Sequence, residues 1–164
     1  MTTRVLLLVL LVAAVAGCGG GGNGGEAERT TTATATGPVF ERGTVVIESG
    51  SGEVEVAVEI AETPVQQQLG LMHRESLARE AGMVFLFAKE TRGGFWMKNT
   101  LIPLSIAFFD ADGRILRILD MEPCEADPCP AYDPETAYRG ALEVNKGAFA
   151  EWGVSEGDRV RVER

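Results

Sequence analysis

Three groups of residues in this sequence are of types that could do chemistry. The first is a cysteine pair, Cys124 and Cys129, which encloses four residues and is flanked by Pro123, Pro128 and Pro130. Outside the cytoplasm such a pair forms a disulfide that pins a loop, and closing so small a ring stabilises by about 2 kcal/mol at most. A redox role and free thiols are the alternatives, although redox enzymes place their cysteines two residues apart at a helix start. The second group is His73 with the methionines. Thioether and imidazole suit Cu(I), but Met72, Met83 and Met97 fall in apolar runs where methionine fills core, and no metal is expected. A tetrahedral zinc site is not expected, since His73 is the only histidine and no second cysteine pair exists to complete it. The third group is Trp96-Met97-Lys98-Asn99-Thr100. If Phe95 and Met97 face one side of a strand, Trp96 and Lys98 face the other, setting an indole beside an ammonium, an amide and a hydroxyl. That grouping suits stacking on a sugar ring or holding a carboxylate. The competing reading makes Trp96 core and Lys98-Asn99-Thr100 a turn whose side chains cap the backbone.

Hydrolytic chemistry has less to stand on. A Ser–His–Asp arrangement would have to use His73, the single histidine of the chain. Asp110, Asp112 and Glu143 could converge as acid and base, but carboxylates are abundant in a chain with 24 of them. No catalytic residue and no cofactor is assigned.

These residues must be positioned by strands. Val54, Val56, Val58 and Ile60 alternate with Glu53, Glu55 and Glu59, the period-two pattern of a half-buried strand, and Ser49-Gly50-Ser51-Gly52 joins it to Thr44-Val45-Val46-Ile47 in a hairpin. A second hairpin runs from Ile106 to Phe109, turns at Asp110-Ala111-Asp112-Gly113, and returns through Arg114 to Leu119. Further strands are expected at Met83 to Phe87, Phe95 to Lys98, Ala141 to Val144 and Arg159 to Val162. One short helix should start at Thr63, with Pro64 in its first position, Gln66 completing a capping box, and Val65, Leu69 and Met72 on one face. Another should run from Lys146 to Trp152, capped by Asn145 and ended by Gly153. Many short strands and two short helices predict a mainly β fold, an antiparallel jelly-roll-like sandwich or barrel.

The run Gly94-Phe95-Trp96-Met97-Lys98-Asn99-Thr100-Leu101-Ile102-Pro103-Leu104 resembles the domain of unknown function 192 family of bacteria and archaea. So do Gln68 to Arg74, the Pro123-Cys124 to Tyr132 loop, Ala141 to Gly147 and Gly157-Asp158-Arg159-Val160. The resemblance spans roughly Val39 to Val162. It implies a jelly-roll-like β-sandwich and brings no established activity, cofactor or catalytic residue. It also draws Arg74, Glu143 and Asn145 into one reckoning with Trp96, Lys98, Asn99 and Thr100 as ligand-binding candidates. Ser105 departs from the family's usual Asp, and Lys146 from its common Ala.

The N-terminus bears on location. Arg4 is followed by Val5 to Ala16 without a polar side chain, shorter than the roughly 18 to 20 residues that span a bilayer as a helix. Val15-Ala16-Gly17-Cys18 then resembles a bacterial lipoprotein signal, with residues 1–17 removed and Cys18 acylated. Several acyl chains, at roughly 0.8 kcal/mol per buried methylene, would anchor the chain to the outer side of a membrane. Residues 19–37, rich in Gly and Thr, make a flexible tether with a reach of roughly 25 Å, leaving 38–164 as one domain. The net charge of -9 repels phosphate backbones, which argues against nucleic-acid binding. The sequence therefore reads as an envelope-anchored domain that binds a small molecule or glycan, the rivals being an envelope carboxylate-type hydrolase and a protein–protein docking module. Cys18→Ser should move the protein from the membrane fraction to the soluble fraction, and continued sedimentation with membranes would refute the anchor.

Overall fold

The computed structural model describes residues 37–164; the signal, Cys18 and most of the tether lie outside the described residues. The fold is mainly β with two short helices, as the strand pattern requires. Nine strands form among the described residues: β1 (Glu41–Ser49), β2 (Gly52–Ala61), β3 (Ala81–Thr91), β4 (Phe95–Trp96), β5 (Leu104–Phe109), β6 (Ile115–Met121), β7 (Ala131–Tyr132), β8 (Tyr138–Asn145) and β9 (Arg159–Glu163). Helix α1 (Pro64–Leu69) follows β2, and α2 (Ala148–Glu151) follows β8. Seven strands make one sheet in the order β6-β5-β8-β3-β2-β1-β9, and β4 and β7 pair in a small second sheet.

Both predicted hairpins form. In β1–β2, Val45 faces Val56 and Ile47 faces Val54, while the glutamates of β2 turn outward. In β5–β6, the Asp110 carboxylate accepts the Asp112 and Arg114 amides at 2.9 Å, and Gly113 takes φ +79°. An added Cβ there would stand 2.1 Å from the Val160 carbonyl oxygen, so glycine is required for contact as well as for conformation. That contact marks where the sheet curls back on itself. Val160 N–H donates to the Gly113 carbonyl, Ile115 N–H to that of Asp158, and Gly157 N–H to that of Ile115, each at 2.8 Å. The sheet is thus a half-barrel pinned between its two edge strands.

One pairing is parallel: Ala57 to Ala61 of β2 run beside Ala81 to Phe85 of β3. A parallel pair needs a long crossover, here made by α1 and residues 70–80. The Thr63–Gln66 capping box and Pro64 start α1 as expected. Val65, however, is exposed rather than sharing a packed face with Leu69 and Met72: the helix ends after six residues and buries none of them. The second helix is also shorter than expected, and Asn145 does not cap it. Gly147 holds the cap position with φ +83°, while the Asn145 amide donates to the Leu77 and Ala78 carbonyls at 3.2 and 2.9 Å. Pairing over Phe95 to Lys98 stops at Trp96, since β7 is two residues long.

The core lies on both faces of the sheet. Val45, Ile47, Val58, Leu142 and Val144 fill the inside of the curl, with Phe149 of α2 packed among them. Met83, Phe85, Ile106, Phe108 and Ala141 form the outer face, over which Leu71, Phe95, Met97 and Tyr132 lie. β5 and most of β8 are therefore buried on both sides. Phe108 is fully buried and meets Tyr138 and Phe95 edge-on at 4.8 and 5.6 Å. Phe108→Ala should lower stability by about 3–5 kcal/mol in denaturant unfolding; a loss below ~1 kcal/mol would show that the outer core is not close-packed.

Candidate functional site

Phe95 positions the site. Its ring packs edge-on against Phe85 at 4.9 Å and Phe108 at 5.6 Å, and Met97 two residues on is 1% exposed. Strand alternation then turns Trp96 out, and it is 52% exposed. Trp96 is not core. Lys98 follows it outward, its Nζ 5.9 Å from the indole centroid, close enough for a cation–π contact. Asp127 holds this ammonium with both carboxylate oxygens at 3.2 Å. Asp127 lies inside the ring closed by the Cys124–Cys129 disulfide, and the following strand β7 pairs Ala131 with Trp96. The disulfide loop therefore sets both the neighbour of Trp96 and the counter-ion of Lys98.

Beyond Lys98 the chain turns. Asn99 adopts φ +57°, Thr100 N–H donates to the Met97 carbonyl at 3.1 Å, and the Thr100 side chain is buried. His73, also left-handed at φ +63°, donates its backbone N–H to the Asn99 carbonyl, and its ring is exposed. Its chemistry is thus a backbone tie between two loops.

Behind Trp96 lies Glu143, in the middle of β8 between Met83 of β3 and Ile106 of β5. It is 5% exposed, and desolvation pushes its carboxyl up to about 8. Among the described residues no basic side chain lines the cavity at this carboxyl. No fully buried side-chain polar atom among the described residues lacks a partner, so the carboxyl is not sealed in. It opens into a cavity of about 30 Å³ whose walls include Gln67, Met72, Phe95, Trp96 and Thr100. The space admits one or two water-sized groups. At neutral pH the Glu143 carboxyl is protonated, and so offers a hydroxyl donor and a carbonyl acceptor to whatever enters.

Of the sequence candidates, Trp96, Thr100 and Glu143 share this cavity, and Lys98 stands over the Trp96 face. Asn99 is at the rim, its amide 4.0 Å from the Met72 sulfur. Arg74 lies elsewhere, paired with Glu59 through two bonds of 2.9 and 2.5 Å beside a separate cavity. Asn145 is spent on the Leu77 and Ala78 carbonyls. Asp110 and Asp112 belong to the β5–β6 turn and do not meet Glu143. Gln67 was not legible as a site residue, because its place depends on α1 crossing the sheet: its amide donates to the Leu86 carbonyl at 2.9 Å while it lines the cavity. Ser105, the departure from the family pattern, is buried, donates to Asp120 at 2.5 Å and accepts the Gly147 amide at 2.9 Å. Among the described residues no three His, Cys, Asp or Glu side chains converge as metal ligands.

The curled sheet and this loop layer define a class shared with known proteins. The chain matches the DUF192 family, described as "Uncharacterized ACR", over residues 45–162, and it belongs to that family. A structure from Sinorhizobium meliloti, described as a "putative transcription regulator", is 32% identical, with a TM-score of 0.70 over 76% of this chain and 96% of that one. A protein of unknown function from Novosphingobium aromaticivorans is 31% identical, with a TM-score of 0.69 over 77% of this chain and 94% of that one. No curated protein matches the chain significantly.

Glu143 makes stability depend on pH with a definite sign. The folded state keeps this proton up to about pH 8, whereas an unperturbed carboxyl loses it near 4.5. Between those values the folded state binds more protons, so the Glu143 contribution falls as pH rises. Glu143→Gln should therefore stabilise the protein at pH 8, on the order of a few kcal/mol, and the gain should vanish near pH 4. A gain independent of pH would place the ionisation elsewhere.

Proposed function

We propose that the protein is a binding module, tethered through acylated Cys18 to the outer side of a membrane, that takes a neutral polar ligand such as a glycan ring and does not alter it. The observation that carries this reading is the exposed Trp96 face standing over the small cavity that ends at the protonated Glu143 carboxyl. A sugar ring stacks on an indole through its apolar face, and the cavity has room for one projecting hydroxymethyl or amide group rather than a whole ring. Glu143 and Thr100 then supply hydrogen bonds to that group, in a setting where a lost partner is costly. Glu143 is the one carboxyl among the described residues lining this cavity, whereas glycoside hydrolysis uses a pair. That favours binding over the hydrolase reading. The regulatory role attributed to the S. meliloti protein is not carried over, since a net charge of -9 opposes contact with DNA.

The chain has two tryptophans, so Trp152→Phe leaves Trp96 as the only indole reporter. Titration of that variant with cell-wall and surface oligosaccharides should shift its fluorescence. Trp96→Ala should weaken binding about tenfold or more, as loss of an aromatic stacking platform does. If no glycan perturbs the indole, or Trp96→Ala binds as well as the parent, the reading fails.

A further inference from the structure

A second cavity lies where the curled sheet is pinned. Past the Arg114–Arg159 bridge, β9 runs on beside the β5–β6 turn and the start of β8, leaving a groove of about 430 Å³. Its volume is in the range of small-molecule sites. Phe109 and Val160 of the inner core, with Leu86 and Val162 packed against it, supply an apolar floor. Around them stand four arginines, Arg139, Arg159, Arg161 and Arg164, in a chain whose net charge is -9.

The partners of these groups separate structural from available charge. Arg164 is taken by Glu41 and Glu62, and Arg161 pairs with Glu163. Arg159 donates through Nη1 to the Asp112 carbonyl and forms no ion pair with a carboxylate among the described residues. Arg139 is half-buried and has no hydrogen bond or ion pair among the described residues. It also borders the adjoining cavity of about 330 Å³ beside Phe87. Three acids share the groove. Asp110 is engaged by the amides of its own turn, Asp112 sits in that turn, and Glu48 lies across the strand from Arg159. Guanidinium donors that no protein acceptor uses are available to a ligand, and an anion would engage them in the two-pronged geometry that arginine offers to carboxylate and phosphate.

We propose that this groove binds a small amphipathic anion, its carboxylate or phosphate head on Arg139 and Arg159 and its apolar body on Leu86, Phe109, Val160 and Val162. The site is independent of the Trp96 cavity, which opens on the other core of the sheet. The occupant is a free small molecule, since a groove of about 430 Å³ has the size of a site for one such body.

Residues 37–164 serve for the test, because the solved relatives consist almost wholly of this fold. Isothermal titration with hexyl phosphate, inorganic phosphate and hexanol separates head from body. Hexyl phosphate should bind about tenfold or more tightly than either fragment. Arg139→Ala should weaken it about tenfold or more, Arg139→Lys should restore part of the loss, and Trp96→Ala should leave it unchanged. Should Arg139→Ala fail to fold, Arg159→Ala makes the same comparison. No binding of hexyl phosphate, or equal binding by a folded Arg139→Ala variant, overturns the proposal. A loss caused by Trp96→Ala would assign the ligand to the other site and overturn it equally.

Discussion

The packing of the Phe95 ring against Phe85, Phe108 and Tyr138 is the contact on which the candidate site depends. β4 is only two residues long and has two register partners in β7, too little backbone pairing to hold itself in place. Its position comes instead from burying an aromatic ring, a side chain that removes 150–250 Å² or so from water. Once Phe95 points in, the alternation of the extended chain leaves Trp96 no choice but to point out. The cavity in front of Glu143 is the space between that anchored strand, the crossover loop and the sheet beneath. Gly94 helps: a Cβ there would stand 2.7 Å from the Tyr132 carbonyl carbon, so glycine lets the two short strands approach.

Glu143 is the costly element. A carboxyl in the middle of a sheet buried on both faces loses its water, and no basic side chain among the described residues lines its cavity. The fold accommodates it in protonated form, and the protonated group can both donate to and accept from a neutral hydroxyl or amide, whereas a carboxylate only accepts. The Arg139 groove carries the opposite charge: there a partly buried guanidinium has no hydrogen-bond acceptor among the described residues and stays charged, because guanidinium does not deprotonate. One site is thus suited to neutral polar groups and the other to anions, on different cores of the same sheet.

Much of the secondary structure was legible along the chain because it is locally encoded. The valine and glutamate alternation of β2, the Asp-Gly turn after Phe109 and the Thr63–Gln66 capping box depend on neighbours a few residues away, and each appears where expected. The disulfide between Cys124 and Cys129 is local in the same sense. The misreadings occur where a distant partner competes. Asn145 could cap a helix, but carbonyls at Leu77 and Ala78, brought near by the β2–β3 crossover, claim its amide. Val65 had the spacing of a packed face, and the fold leaves it exposed.

By itself the sequence determined the strands, their turns, the family and the choice of Trp96 or the core for one indole, because period-two alternation and turn chemistry act over a few residues. Only the tertiary structure decided between those two places for Trp96. It also paired β2 with β3 in parallel, brought Gln67 and Glu143 to the same cavity while sending Arg74 to another, and gathered Arg139, Arg159 and Arg161 around one groove. Those outcomes join residues that lie far apart in the chain. They are set by which hydrophobic faces must be covered and by how far the sheet curls, and no local pattern specifies either.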